Sequence, residues 1–127
     1  MKIDISHGEL FDRYSILLIK LNKINDIVKV NMVKKELATL DYYEKTFNIR
    51  NHKLFKDLLK INSILWQIED DIRIKEYKKE FDNEFIELAR SVYINNDERF
   101  LKKTEINNFF KSYIYEVKNH LLQQQNT

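Results

Sequence analysis

The chain has no cysteine, no proline and a single glycine, Gly8, in 127 residues. Without cysteine there is no disulfide, no thiolate metal site and no cysteine nucleophile, and a reducing compartment, the cytoplasm, fits this usage. Without proline, and with one glycine, the residues that β-hairpins and α/β loops consume at their turns are missing, so helices joined by short connections remain. No apolar run approaches the roughly 20 residues that span a bilayer, and Met1-Lys2-Ile3-Asp4 opens without the apolar stretch of an export leader. Neither sign of charge dominates: 22 basic and 20 acidic residues are mixed along the chain for a net charge of +2. That balance leaves no basic stripe for nucleic acid or acidic lipid, and nucleic acid is an unexpected partner. A phosphate loop, a dinucleotide fingerprint, a nucleophile elbow and a zinc-protease motif are all absent, which removes the most readable enzyme classes.

What is present is helical periodicity. The length suits one core, so residues 1–127 are expected to form a single all-α domain, a bundle of about five helices, mostly antiparallel. Ser6-His7-Gly8-Glu9 matches a capping box, which starts a first helix that runs to about Asn25. The pair Asn25-Asp26 offers a turn and a cap for a second, in which Val30, Val33, Leu37, Leu40 and Phe47 recur at helical spacing. A third, from about His52 to Lys79, carries Leu54, Leu58, Ile61, Leu65, Ile68 and Ile72 on one stripe. Asp82 caps a fourth that turns Phe85, Leu88, Ala89 and Val92 inward and ends near Asn95-Asn96-Asp97. A fifth then uses Ile106, Phe110, Tyr113, Val117 and Leu121 to reach about Leu122, leaving a frayed glutamine-rich tail at 123–127.

Some polar residues fall on inward positions. On the third helix Asn62, Glu69 and Arg73 project between two apolar flanks, and Glu69 and Arg73, four apart, can pair. On the fifth, Arg99 and Lys103 continue the apolar stripe backwards, with Asn96 and Asp97 just before them. Only five basic residues are arginine, so two arginines at inward positions suggest that the planar bidentate fork matters there. The functional reading is an anion pocket for a phosphate or carboxylate built from Glu69, Arg73, Asn96, Arg99 and Lys103. The competing reading is an ion-pair network that fixes helix register and binds nothing.

The first helix is apolar on two sides: Leu10, Tyr14, Leu17, Leu21 and Ile24 on one, Ile16 and Ile19 on the other beside Glu9 and Asp12. Such a helix is either central or pairs with a second chain, and Ile16 and Ile19 are the interface candidates of a homodimer. Glu9 and Asp12 could supply carboxylates to Mg²⁺, but the capping box already accounts for Glu9. His7, His52 and His120 have no zinc spacing, so no metal site is expected. Gly8 lies in the first turn, where a missing side chain would let a ligand or a backbone approach the free amides, although simple tolerance of glycine near a helix end accounts for it more readily.

Ile5-Ser6-His7-Gly8-Glu9-Leu10 with Asp12-Arg13 and Ser15-Ile16-Leu17 resembles the opening of a small helical family of bacteria and their phages, and Leu65-Trp66-Gln67-Ile68-Glu69-Asp70-Asp71-Ile72-Arg73, Phe85 to Tyr93 and Asn96-Asp97-Glu98-Arg99 are similar to its main signature block. The resemblance covers roughly residues 3 to 118 and is weakest from Val28 to Leu54. It implies a helical fold but brings no established activity and no cofactor; an association of some members with surface-polysaccharide genes points to a sugar or phage setting. The expectation is a non-enzymatic helical binding or interaction module, homodimeric, with a phosphate-bearing or carboxylate molecule or a protein as partner. The alternative is a small helical enzyme acting on a phosphorylated substrate such as a nucleotide or nucleotide sugar.

Overall fold

The computed structural model describes residues 1–119. Among these it forms an all-α bundle: α1 (His7–Lys23), α2 (Ile27–Thr39), α3 (Asp41–Phe47), a 3-10 turn (Ile49–Asn51), α4 (Lys53–Lys78) and α5 (Asn83–Phe110). Helix α1 starts where the capping box places it, with Ser6 Oγ accepting from the Glu9 amide at 3.0 Å. The reciprocal half of the box does not form, because the Glu9 carboxylate turns instead to Lys103 at 2.9 Å. Asp26 accepts from the Val28 and Lys29 amides and starts α2, and Asp82 accepts from the Phe85 amide at 3.0 Å and starts α5.

Three boundaries differ from the sequence reading. The expected second helix is divided at Leu40 into α2 and α3. The expected fourth and fifth are one helix, since Asn95-Asn96-Asp97 does not interrupt it. Asparagine and aspartate cost a helix only a few tenths of a kcal/mol each, and here Asn95 Nδ2 bonds the Ser91 carbonyl within the helix at 2.8 Å. The helix stops at Phe110, not at about Leu122, with Lys111 in the left-handed region at φ 53°. Tyr113 and Val117, expected to face inward, are 80% and 90% exposed; Leu121 and the tail at 123–127 lie outside the described residues.

The core gathers around α1. Phe11, Tyr14, Ile49, Phe55, Leu58 and Ile106 are almost wholly buried, each contributing about 1.5–3 kcal/mol of hydrophobic stabilisation. Phe11 and Tyr14 meet Phe55 edge to face at 6.3 and 5.9 Å. The Tyr14 hydroxyl accepts from Arg50 Nε at 2.8 Å, a bond that raises the pKa of that arginine above its ordinary value. Helix α1 packs against α2, α4 and α5, so its second apolar side belongs to the centre of the bundle. Ile19 is 6% exposed within the chain itself, which removes it as a dimer contact; Ile16 is half-buried. On that face α5 meets α1 at Glu9 and Asp12 through Lys103 and Arg99, and α4 meets Ser15 through Asn62. Among the described residues no helix is long and apolar enough to cross a membrane.

Candidate functional site

Two polar layers lie where α5 crosses α1. The inner layer is built on Asp12, which is 2% exposed. Arg99 binds it side-on, donating from Nε to Oδ1 at 2.8 Å and from Nη2 to Oδ2. Asn62 Nδ2 donates to the same Oδ1 at 2.9 Å and to Ser15 Oγ at 2.6 Å, and Ser15 Oγ donates to the Asp12 carbonyl. A carboxylate this deep needs such partners, since an unpaired buried charge is very costly. The bonds to Asp12 outweigh burial and hold the Arg99 pKa above its ordinary value.

The outer layer surrounds the start of α1. Gly8 fits against α5 because it has no side chain: a Cβ there would stand 2.5 Å from the Lys103 carbonyl oxygen and 2.9 Å from Asn107 Oδ1. The close approach lets Asn107, which is fully buried, accept from the Gly8 amide at 2.6 Å. The His7 amide donates to Ser112 Oγ at 3.1 Å, so the amides of His7, Gly8 and Glu9 are each satisfied by a side chain. The His7 ring also hydrogen-bonds Ser112 Oγ through Nδ1 and stacks on Phe110 at 4.9 Å, and burial lowers its pKa. Glu116 then reaches the capping side chains from outside, accepting from Ser6 Oγ and, at 2.5 Å, from Asn107 Nδ2. Lys103 Nζ stands between the Glu9 carboxylate at 2.9 Å and that of Glu116 at 3.8 Å.

Asn96, Arg99 and Lys103, three of the five residues expected to form an anion pocket, do come together. With Phe100, Val117 and Lys118 they line an open cleft of about 310 Å³. Glu69 and Arg73 do not join them, because both are exposed on α4 and not turned inward. Asn62 marks the level of Asp12 and Arg99, and Arg73 lies eleven residues further along α4, about 16 Å at 1.5 Å per residue. Helix α1 ends before it could cover that stretch. Among the described residues Arg73 has no ion-pair partner, and no three histidine or carboxylate side chains group as a metal set. Glu9 and Asp12, considered for Mg²⁺, are held by Lys103 and Arg99.

The sequence does not point to Asn107 or Glu116, and it marks Asp12 as a carboxylate for Mg²⁺, not as the partner of Arg99. Asp12 shares its helix face with Ser15 and Ile19, a small polar and an apolar residue at i+3 and i+7, and that spacing was the available signal. Nothing in the sequence flags Glu116, whose role depends on the chain reversing after Lys111. Comparison of the chain with protein-family models, curated proteins and solved structures finds no match.

Proposed function

We propose that the protein is a non-enzymatic helical interaction module that works as a homodimer through the α4–α5 hairpin. The observation that carries this reading is the absence of any buried residue from Glu69 to Glu105, although the stretch holds much of the two longest helices. Ile72, Phe85, Leu88 and Val92 along the seam are only half-buried. Lys102–Asp57 near one end and Lys75–Glu84 near the other set an antiparallel register. That register brings Ile64, 41% exposed, level with Ile94, 42% exposed. Two helices cannot cover both sides of their own seam; a second hairpin related by a two-fold axis completes a four-helix bundle.

Light scattering on wild type and on the double variant Ile64→Lys, Ile94→Lys tests it. The expected result is a dimer that becomes a monomer of unchanged helicity. A wild type that stays monomeric at every concentration sinks the proposal.

A second reading, a phosphate-bearing or carboxylate ligand with or without turnover, is favoured by the cleft of Asn96, Arg99 and Lys103. Its cations are already met by Asp12, Glu9 and Glu116, so an incoming anion must compete with internal carboxylates. Acid–base chemistry by Glu69 or Asp70 has no geometric support at that distance from Arg99. Inorganic phosphate, nucleotides and sugar phosphates, each with and without Mg²⁺, should raise the melting temperature of wild type and not of Lys103→Met.

A further inference from the structure

After α5 the chain reverses at Lys111 and runs back without regular structure across the start of α1. Beyond Ser112 none of its residues from 113 to 119 is buried. Its hold on the body is polar: Ser112 to His7, Glu116 to Ser6, Asn107 and Lys103, and Lys118 to Asp97. Lys118 also lies 5.8 Å from the centre of the Phe100 ring, so Val117 and Lys118 form one wall of the cleft that holds Asn96, Arg99 and Lys103.

We propose that residues 112–118 are a releasable strap that walls this cleft through Val117 and Lys118, and that Glu116 occupies in cis an adjoining seat for a ligand's carboxylate or phosphate group, made by Ser6, Asn107 and the Lys103 that cleft and seat share. Ligand entry and strap release are then one exchange. The inference rests on the reading of the cleft as an anion site and adds how access to it is controlled.

The seat is made of side chains, because the first-turn amides of α1 are already satisfied by Ser6, Asn107 and Ser112. Ser6 Oγ, Asn107 Nδ2 and Lys103 Nζ instead converge on one carboxylate. With the strap in place Ser6 is 3% and Asn107 0% exposed, so departure of Glu116 takes away the charged acceptor that both donors face. In wild type another oxyanion therefore replaces Glu116 better than water does. A strap bound by charge and hydrogen bonds, with little apolar burial, permits that exchange, whereas a packed helix would not.

The test uses the full chain and inorganic phosphate as the probe. Backbone ¹⁵N relaxation at 113–118 and the Asn107 side-chain amide signal are followed in wild type, Glu116→Gln and Lys103→Met. In wild type the strap is ordered, and phosphate both shifts the Asn107 signal and mobilises the strap. Glu116→Gln mobilises it without phosphate and binds phosphate about tenfold more tightly, the scale of one charge-assisted hydrogen bond removed from competition. Lys103→Met loses the phosphate response.

A strap equally ordered in wild type and Glu116→Gln overturns the latch. Phosphate that shifts Asn107 while the strap stays ordered leaves the anion site standing and overturns the exchange. If the strap opens in Glu116→Gln but phosphate binds neither protein, the anion-site reading falls, and the exchange with it.

Discussion

Arg99 holds Asp12 by two parallel bonds across the packed faces of α5 and α1, with the carboxylate almost wholly enclosed and the guanidinium about one-third exposed. The fork presents Nε and Nη2 to the carboxylate, a geometry that lysine cannot reproduce. Arg99→Met leaves a buried, uncompensated charge and should cost about 3 kcal/mol, the lower part of the range for broken buried pairs, because solvent reaches Arg99. Arg99→Lys should recover less than half of that loss. Denaturant unfolding of both variants, and of Asp12→Leu with Arg99→Met, measures the pair; a double variant less stable than Arg99→Met would contradict this account.

Gly8 is the second residue of α1, where the helix advantage of alanine is at most the roughly 1 kcal/mol of a helix interior. Here the added Cβ meets the Lys103 carbonyl at 2.5 Å, and that oxygen belongs to the backbone of α5 and cannot turn away. Overpacking of about 1–3 kcal/mol should outweigh the gain in propensity. Gly8→Ala is therefore expected to melt below wild type, and a higher melting temperature would mean that α1 and α5 are not in contact there.

Burial holds the His7 pKa below its ordinary 6.5. The folded state then binds fewer protons than the unfolded state between the two values, so stability rises with pH in that window. The contribution is complete above about pH 6.5 and is lost as pH falls through the lowered folded value. Melting curves of wild type and His7→Gln should converge as pH is lowered through this range; parallel curves would remove His7 as the titrating group.

Asn107 divides its amide between two roles, accepting from Gly8 with Oδ1 and donating to Glu116 with Nδ2. Asn107→Asp keeps the acceptor for Gly8 but sets a carboxylate against that of Glu116. The expected outcome is a folded body from which residues 113–118 detach, seen as fast tryptic cleavage after Lys118 with the helical circular dichroism kept. Cleavage at the wild-type rate would mean that Glu116 is held by other contacts.

The helix class, the caps Ser6, Asp26 and Asp82, and the apolar stripe from Leu54 to Ile72 were legible because they depend on residues three to four apart along one helix. The helix ends were less so. Asn95-Asn96-Asp97 reads as a stop by local chemistry, yet α5 continues through it in contact with α1 and α4. Val117 reads as a continuation of an apolar stripe, yet the chain turns after Lys111 and leaves it 90% exposed.

For the candidate site, Asn96, Arg99 and Lys103 share one helix, and their spacing alone places them together. Glu69 and Arg73 pass the same periodicity test and fail in space, because a helical stripe is buried only where another element covers it, and α1 is too short to reach them.

The sequence by itself determined that this chain folds as amphipathic helices: without proline, and with one glycine, its periodicity has no competing local structure to form. Only the tertiary structure decided which polar residues meet. Asp12 with Arg99, Gly8 with Asn107 and Ser6 with Glu116 are separated by 87, 99 and 110 residues. Such pairs are set by how the helices cross and where the chain reverses, and no local pattern encodes either.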